Sequence, residues 1–277
     1  MDAPLNQVLI PANFQELFSA WNRFPKAVLY AGGTNLIGRQ EKNILNLPPV
    51  LISLDKIAEL QRITRTEHYL EIGSMVKLNK LLSLGKTVPE VLRVCIENIA
   101  GVQLRNIATI GGNICSKRLL NVPTPLIALE AQYELRNNPN SSRWVSASRF
   151  HSVSEDTSIE NQELLTRIRL PLHQWDYAVY RKFNGNDYFD NEALVFIAKT
   201  KKRILSEIRV VYKAGQILRY KTAENILNGK NLPLNRKTAD DFIENWREFL
   251  NNKREISNFT KNTILYNIQE NVYNLSE

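Results

Sequence analysis

Ala27-Val28-Leu29-Tyr30-Ala31-Gly32-Gly33-Thr34-Asn35-Leu36-Ile37-Gly38 is the stretch on which the reading of this chain turns. The apolar run Ala27–Tyr30 predicts a strand, and it ends in two adjacent glycines followed by a hydroxyl and an amide. A strand that ends this way turns without a Cβ penalty and presents successive backbone N–H groups to an anion, phosphate above all. Glycine is scarce, 11 of 277 residues, yet four of the eleven stand in two such pairs, the second within Thr109-Ile110-Gly111-Gly112-Asn113-Ile114. One pair alone reads as a tight turn. Two pairs with hydroxyl and amide neighbours read as two loops clamping one pyrophosphate. The dinucleotide fingerprint Gly-x-Gly-x-x-Gly is absent, because Gly32-Gly33 is followed only by Gly38. Asp55 is therefore expected to cap a strand end rather than bind ribose. No Gly-Lys-Ser/Thr phosphate loop occurs, which removes nucleoside triphosphate hydrolysis.

Outward from this stretch the chain alternates strand and helix signals. Val8–Ile10, Ala27–Tyr30 and Leu51–Leu54 read as strands around a helix at Phe14–Trp21, a small α/β unit. Ile63–Thr66 and Tyr69–Ile72 flank a polar turn like a hairpin, which predicts a mixed sheet, and helical periodicity follows at Lys77–Leu84 and Glu90–Ala100. Tyr133–Arg136, Arg143–Ser146 and Leu164–Leu170 predict a second, mostly antiparallel lobe. The pattern breaks at Leu170-Pro171-Leu172-His173. This places a boundary between a domain over 1–172, with lobes of about 1–60 and 61–172, and a second domain over 173–277. The latter reads as three strands (Tyr177–Phe183, Ala193–Thr200, Ile204–Tyr212) and then helices, one opening at Thr238 with Thr238 as its own cap and Phe242, Trp246, Phe249 and Leu250 on one face. The fold class is α+β.

Composition narrows the function. The net charge is +8, but the densest basic run, Lys199, Lys201, Lys202 and Arg203, lies between two strand signals and reads as a solvated hairpin turn, so nucleic acid is not an expected partner. No run approaches the ~20 apolar residues of a membrane span, and the first residues lack a basic stretch followed by an apolar core, so a cytoplasmic location is expected. Two cysteines, Cys95 and Cys115, are too few for an iron–sulfur cluster on four thiolates, so any such cluster sits on a partner. Cys115 reads as a small buried hydrophobe. His68, His151 and His173 have no metal-ligand spacing, and no hydrolase constellation accompanies them. Tyr177, Tyr180, Phe183, Tyr188 and Phe189 read as strand packing residues, at most one of them against a cofactor.

Ala31–Leu36 resembles the Ala-Gly-Gly-Thr-Asp-Leu loop of the FAD-binding subunits of molybdenum hydroxylases, the xanthine dehydrogenase and carbon monoxide dehydrogenase family. Ile99-Ala100-Gly101-Val102-Gln103-Leu104-Arg105-Asn106 leading into Thr109–Ile114 is similar to that family's second motif almost position by position. Ile57–Leu60, Glu71-Ile72-Gly73-Ser74 and Leu126–Ala131 fall where the family has like segments. The resemblance is strong over 27–170 and weaker beyond. It implies a two-lobed FAD-binding domain of the vanillyl-alcohol oxidase (PCMH) type over 1–172 and a small C-terminal α/β domain, an antiparallel sheet with helices, of the molybdopterin dehydrogenase flavoprotein type over 173–277.

Carried over residue by residue, the resemblance implies that Ala31, Gly32, Gly33, Thr34, Asn35 and Leu36 hold the FAD pyrophosphate from one side. Thr109, Gly111, Gly112 and Asn113 would bind it and the ribityl chain from the other. Ile99 and Leu165 would lie against the flavin, and Lys182 would reach toward its ring. The arginine expected shortly after Lys182 is missing from Asn184–Asp190. Asn35 and Asn121 stand where the family offers carboxylates, and the Cys115–Asn121 loop is one residue short. A neutral hydrogen-bond partner contributes about 1 kcal/mol where a charged one gives ~1.5–3, so weaker FAD binding is expected. The implied function is an electron relay with no catalytic residue and no metal of its own, passing electrons from a 2Fe-2S subunit through FAD to NAD or another acceptor, beside a molybdenum-cofactor catalytic subunit. Two alternatives stay open: a stand-alone flavin reductase of the same fold, and a degenerate scaffold subunit without flavin.

Overall fold

The computed structural model describes residues 7–38, 47–116, 118–152, 162–183 and 192–275. Tyr188, Phe189 and Asn184–Asp190 lie outside the described residues. In chain order the first elements are β1 (Gln7–Leu9), α1 (Phe14–Arg23), β2 (Val28–Tyr30), α2 (Thr34–Gly38), β3 (Val50–Ser53), β4 (Ile63–Arg65) and β5 (Tyr69–Gly73). The helices α3 (Leu78–Leu82), α4 (Glu90–Glu97), α5 (Val102–Arg105), α6 (Ile110–Ile114) and α7 (Pro123–Ala128) follow. Then come β6 (Gln132–Asn138), β7 (Ser141–Ser146), α8 (Ala147–Phe150), β8 (Leu164–Pro171), β9 (Tyr177–Phe183), β10 (Glu192–Lys201), β11 (Ile204–Ala214) and β12 (Gln216–Arg219). The chain ends in α9 (Lys221–Leu227), α10 (Arg236–Asn251) and α11 (Asn258–Tyr273).

The contacts divide the chain into two units, one of Met1–Val88, Ile99–Pro123 and Leu129–Leu172, the other of Pro89–Asn98, Thr124–Ala128 and His173–Glu277. The second unit thus takes two short helical segments out of the span 1–172.

In the first unit a three-stranded sheet runs β1-β3-β2 and is parallel at both pairings. The mixed sheet expected here is corrected: β4 and β5 belong to a second, five-stranded sheet of order β4-β5-β8-β6-β7, antiparallel throughout. The reason is the long-range pairing of β5 with β8, which sets Tyr69 opposite Pro171 and Gly73 opposite Arg167. The helix α1 is capped from both directions at its first turn. Asn13 accepts the Glu16 amide at 2.9 Å while the Glu16 carboxylate accepts the Ala12 amide at 2.8 Å. Its 3.6-residue periodicity puts Leu17, Phe18 and Trp21 on one face, packed with Ile52, Leu54, Leu60, Met75 and Leu164. Met75 and Leu164 come from the antiparallel lobe, so this core joins both sheets of the unit.

In the second unit the four-stranded antiparallel sheet β12-β11-β10-β9 carries α9, α10 and α11 on one face. Leu194, Phe196 and Ala198 point to that side with Phe242, Trp246 and Ile264. The alternate residues Val195 and Ile197 are buried as well, and α4 packs beside β9 on their side. The basic run does form the β10–β11 turn, where Lys202 and Arg203 have φ of 51° and 61°, the geometry of a two-residue hairpin loop. Tyr177 meets Phe196 edge-on and Phe183 stacks on Tyr212, so both are packing residues. The α10 helix opens two residues before Thr238, and its cap is Asn235, whose side chain accepts the Thr238 amide at 2.8 Å. Among the described residues no helix is long and apolar enough to cross a membrane.

Candidate functional site

Both glycine pairs reach one cavity of about 580 Å³ in the first unit. Its wall on one side is β2 and the start of α2, through Ala31, Gly32, Gly33, Thr34, Asn35 and Leu36; on the other it is Thr109, Gly111, Gly112 and Asn113. Leu54, Met75, Leu164 and Leu165 supply an apolar surface between them. The two loops are tied directly, because the Asn35 side-chain amide donates to the Ser116 hydroxyl at 3.0 Å.

The loops are built differently. Gly33 has φ +70°, a conformation that favours glycine, and the amides of Gly33 and Thr34 make no hydrogen bond among the described residues. They are free to meet an anion. The second pair is helical, inside α6, and its amides are spent on the protein: Ile110 donates to the Val76 carbonyl at 3.0 Å, Gly111 to the Ser74 carbonyl at 2.8 Å, and Gly112 to the Thr109 hydroxyl at 3.0 Å. The expectation that each pair presents successive free amides therefore holds for the first loop only. What the second loop needs its glycine for is close approach. A Cβ on Gly111 would come within 2.7 Å of both Ser74 Cβ and the Ser74 carbonyl oxygen.

The remaining expected residues divide. Leu165 is buried and lines the cavity, and Asn113 lines it while its side-chain oxygen accepts the Val122 amide at 3.2 Å. Asn121 is buried but Leu120, not Asn121, lines the cavity. Ile99 is also absent from the lining; its carbonyl accepts from Arg105 at 3.0 Å. Lys182 belongs to the second unit, on β9, where its ammonium donates to the Asn98 carbonyl at 3.4 Å. Among the described residues the Asp55 carboxylate makes no capping hydrogen bond; its backbone carbonyl accepts from Gln61 at 2.5 Å.

Several lining residues escaped the sequence reading. Glu163 is buried and held by Arg143 in a two-pronged ion pair at 2.7 Å for both contacts. Ser74 is 4% exposed and its hydroxyl has no hydrogen-bond partner among the described residues. Cys115, expected to be buried, is exposed and lines the cavity. Cys95 is the fully buried one, and burial pushes its thiol up to about 12. Among the described residues no group of three or more His, Cys, Asp or Glu side chains is placed to hold a metal.

Free amides in a left-handed turn, an orphaned hydroxyl and an apolar wall suit a ligand with an anionic centre and a flat apolar part. The model of the FAD-binding domain in molybdopterin dehydrogenases matches residues 4–173. This chain belongs to that family. FAD is accordingly its cofactor, and the chain is an oxidoreductase-family subunit. A putative xanthine dehydrogenase FAD-binding subunit of Escherichia coli (strain K12) is 28% identical over 230 residues, 79% of this chain and 77% of that protein. Xanthine dehydrogenase 2 of Arabidopsis thaliana is 28% identical over 242 residues, covering 80% of this chain but only 18% of the plant enzyme. Carbon monoxide dehydrogenase from Hydrogenophaga pseudoflava matches with a TM-score of 0.81 at 24% identity, over 100% of this chain and 98% of that one. Quinoline 2-oxidoreductase from Pseudomonas putida 86 matches at 0.79 and 21% identity. These structures share the fold, two-lobed with antiparallel sheets and helices.

Proposed function

We propose that this chain is the flavin-carrying electron relay of a molybdenum hydroxylase complex, taking electrons from 2Fe-2S clusters on one partner and delivering them to NAD or another acceptor, while a molybdenum-cofactor subunit oxidises the substrate. The observation that carries this reading is the convergence of the two glycine loops on one cavity with an apolar wall. Bound FAD supplies the redox chemistry. The chain's own residues bind and orient it. The amides of Gly33 and Thr34 and the hydroxyl of Thr34 receive the diphosphate. Thr109, Gly111, Gly112 and Asn113 form the opposing wall, stiffened by the Thr109 cap on Gly112. Leu165 and its neighbours Leu164 and Met75 exclude water from the apolar part of the ligand. Ile99 is proposed to meet the flavin ring, and Asn121 to hold the loop behind Leu120.

Asn35 contributes differently from the carboxylate that the resemblance leads one to expect. Its side-chain NH2 donates to Ser116 and ties the two loops, which leaves its carbonyl oxygen as a neutral acceptor for a hydroxyl of the cofactor. Binding is then weaker than a carboxylate would give, by the difference between a neutral and a charged hydrogen bond, on the order of 1 kcal/mol.

The experiment is denaturation of the purified chain or its complex, followed by separation of the released nucleotide. FAD is expected, and FMN is not, because loops on both sides of the cavity are more than a monophosphate requires. A colourless protein that takes up no FAD on titration supports the flavin-free scaffold instead.

A further inference from the structure

The wall of the cavity formed by the second glycine loop has its backbone donors committed inward, yet it carries one hydroxyl with nothing to bond. Ser74 directly follows β5, just past the end of its antiparallel pairing with β8. Its amide donates to the Thr166 carbonyl at 3.0 Å and its carbonyl accepts the Gly111 amide at 2.8 Å, so the main chain on both sides of the side chain is pinned. Gly111 presses so close that even a methyl group there would collide with Ser74 Cβ. The residue lines the cavity and is 4% exposed.

The other buried polar side chains of the lining are engaged. Thr109 accepts the Gly112 amide, Asn113 accepts the Val122 amide and Glu163 is clamped by Arg143. Ser74 Oγ alone among these has no partner among the described residues. A hydroxyl buried without a partner destabilises the fold relative to alanine, whereas the same hydroxyl meeting a charged acceptor forms one of the stronger hydrogen bonds. Serine at this position makes physical sense if a ligand supplies the acceptor.

We infer that Ser74 is a cofactor-contacting residue: its hydroxyl donates a hydrogen bond to a diphosphate oxygen of bound FAD, replacing on this wall the donors that the Gly111 and Gly112 amides do not offer. The inference rests on the flavin reading above. It differs from that reading in assigning a direct contact to a side chain outside both glycine motifs.

The test is Ser74→Ala in the full chain, with two readouts that need no partner subunit. In equilibrium titration followed by quenching of flavin fluorescence, the dissociation constant for FAD is expected to rise about tenfold, equivalent to ~1.4 kcal/mol. In urea unfolding without FAD, the midpoint of the variant is expected to equal or exceed that of the parent chain, since an unsatisfied group has been removed. At saturating FAD, a diphosphate ³¹P resonance should move in the variant. An unchanged FAD affinity, with the parent chain binding FAD normally, overturns the contact and leaves the flavin reading standing; a buried water satisfying Ser74 would give this result. A lowered midpoint without FAD overturns it too, because the hydroxyl would then have a protein partner. If the parent chain itself takes up no FAD, the flavin reading fails and the contact with it.

Discussion

Gly33 and Gly229 share a backbone conformation but not a neighbourhood, with φ of +70° and +80° respectively. At Gly229, past the end of α9, an added Cβ meets nothing within 4 Å; at Gly33 it runs into the Tyr30 ring, 2.6 Å from Cζ. Alanine in a left-handed position costs roughly 1–2 kcal/mol at either site. Gly229→Ala should therefore lose about that much stability in urea unfolding and Gly33→Ala somewhat more, since Tyr30 must also give way, but only Gly33→Ala should lose FAD affinity, because it disturbs the loop whose amides are free. Equal FAD affinity in both variants would reduce the first glycine pair to a turn. Gly112, inside α6, is not left-handed, so substitution there acts through the Thr109 cap rather than through φ. A second prediction at this scale concerns His151. It lies 3.5 Å from the Tyr133 hydroxyl with Phe150 against its ring, and burial holds its imidazole down to about 4 from the ordinary 6.5. Between those values the unfolded chain binds a proton that the folded chain refuses. Stability is therefore full above pH 6.5, falls as the pH drops toward 4 and levels below that, by up to ~3 kcal/mol. His151→Gln should flatten that arm in unfolding measured at pH 7.5 and 4.5. An identical acid loss in the variant would assign the effect to other groups.

At the level of elements, what the sequence reveals depends on how local the cause is. The helix α1, the β4–β5 hairpin, the β10–β11 turn and the amphipathic stripe of α10 were all legible, because each is written in residues within a few positions of one another. The sheet partners were not. Nothing near Tyr69 names Pro171 as its neighbour, and β12 is four residues that follow Gly215 with little apolar signal. The site shows the same division. Scarce glycines in pairs exposed both loops, but whether their amides are free depends on carbonyls at Ser74 and Val76, which only the folded chain brings to α6. The reading of Ser74 was limited for the same reason, since an orphaned hydroxyl is a property of packing. Capping gives a prediction here. Asn235, not Thr238, closes the N-terminus of α10, whose Phe242, Trp246 and Leu250 are fully buried. Asn235→Ala should cost about 1 kcal/mol in unfolding free energy, while Thr238→Ala, which keeps the amide that Asn235 accepts, should cost clearly less. The reverse order would restore Thr238 as the cap.

At the scale of the whole molecule, the proposed relay calls for partners at both ends of its reaction. Among the described residues no group of three or more His, Cys, Asp or Glu side chains is placed to hold a metal, and both cysteines are free thiols. On the proposed reading, the electron donor to the flavin and the centre that oxidises substrate both sit on partner subunits. With 36 basic against 28 acidic side chains, a net charge of +8, the surface also favours acidic partners through long-range attraction. We therefore expect affinity purification of the tagged full chain from its native cells to bring down a large subunit containing molybdenum and a small subunit containing iron, both detectable by elemental analysis. Salt should weaken the association if charge steers it, since exposed charges are screened beyond about 8 Å at 0.15 M ionic strength. The separated chain, reloaded with FAD, should show a flavin spectrum but no turnover of any substrate that the complex oxidises. Turnover by the chain alone would place the oxidation chemistry on this subunit and point to the stand-alone reductase instead, since a relay that depends on partner metals cannot act without them.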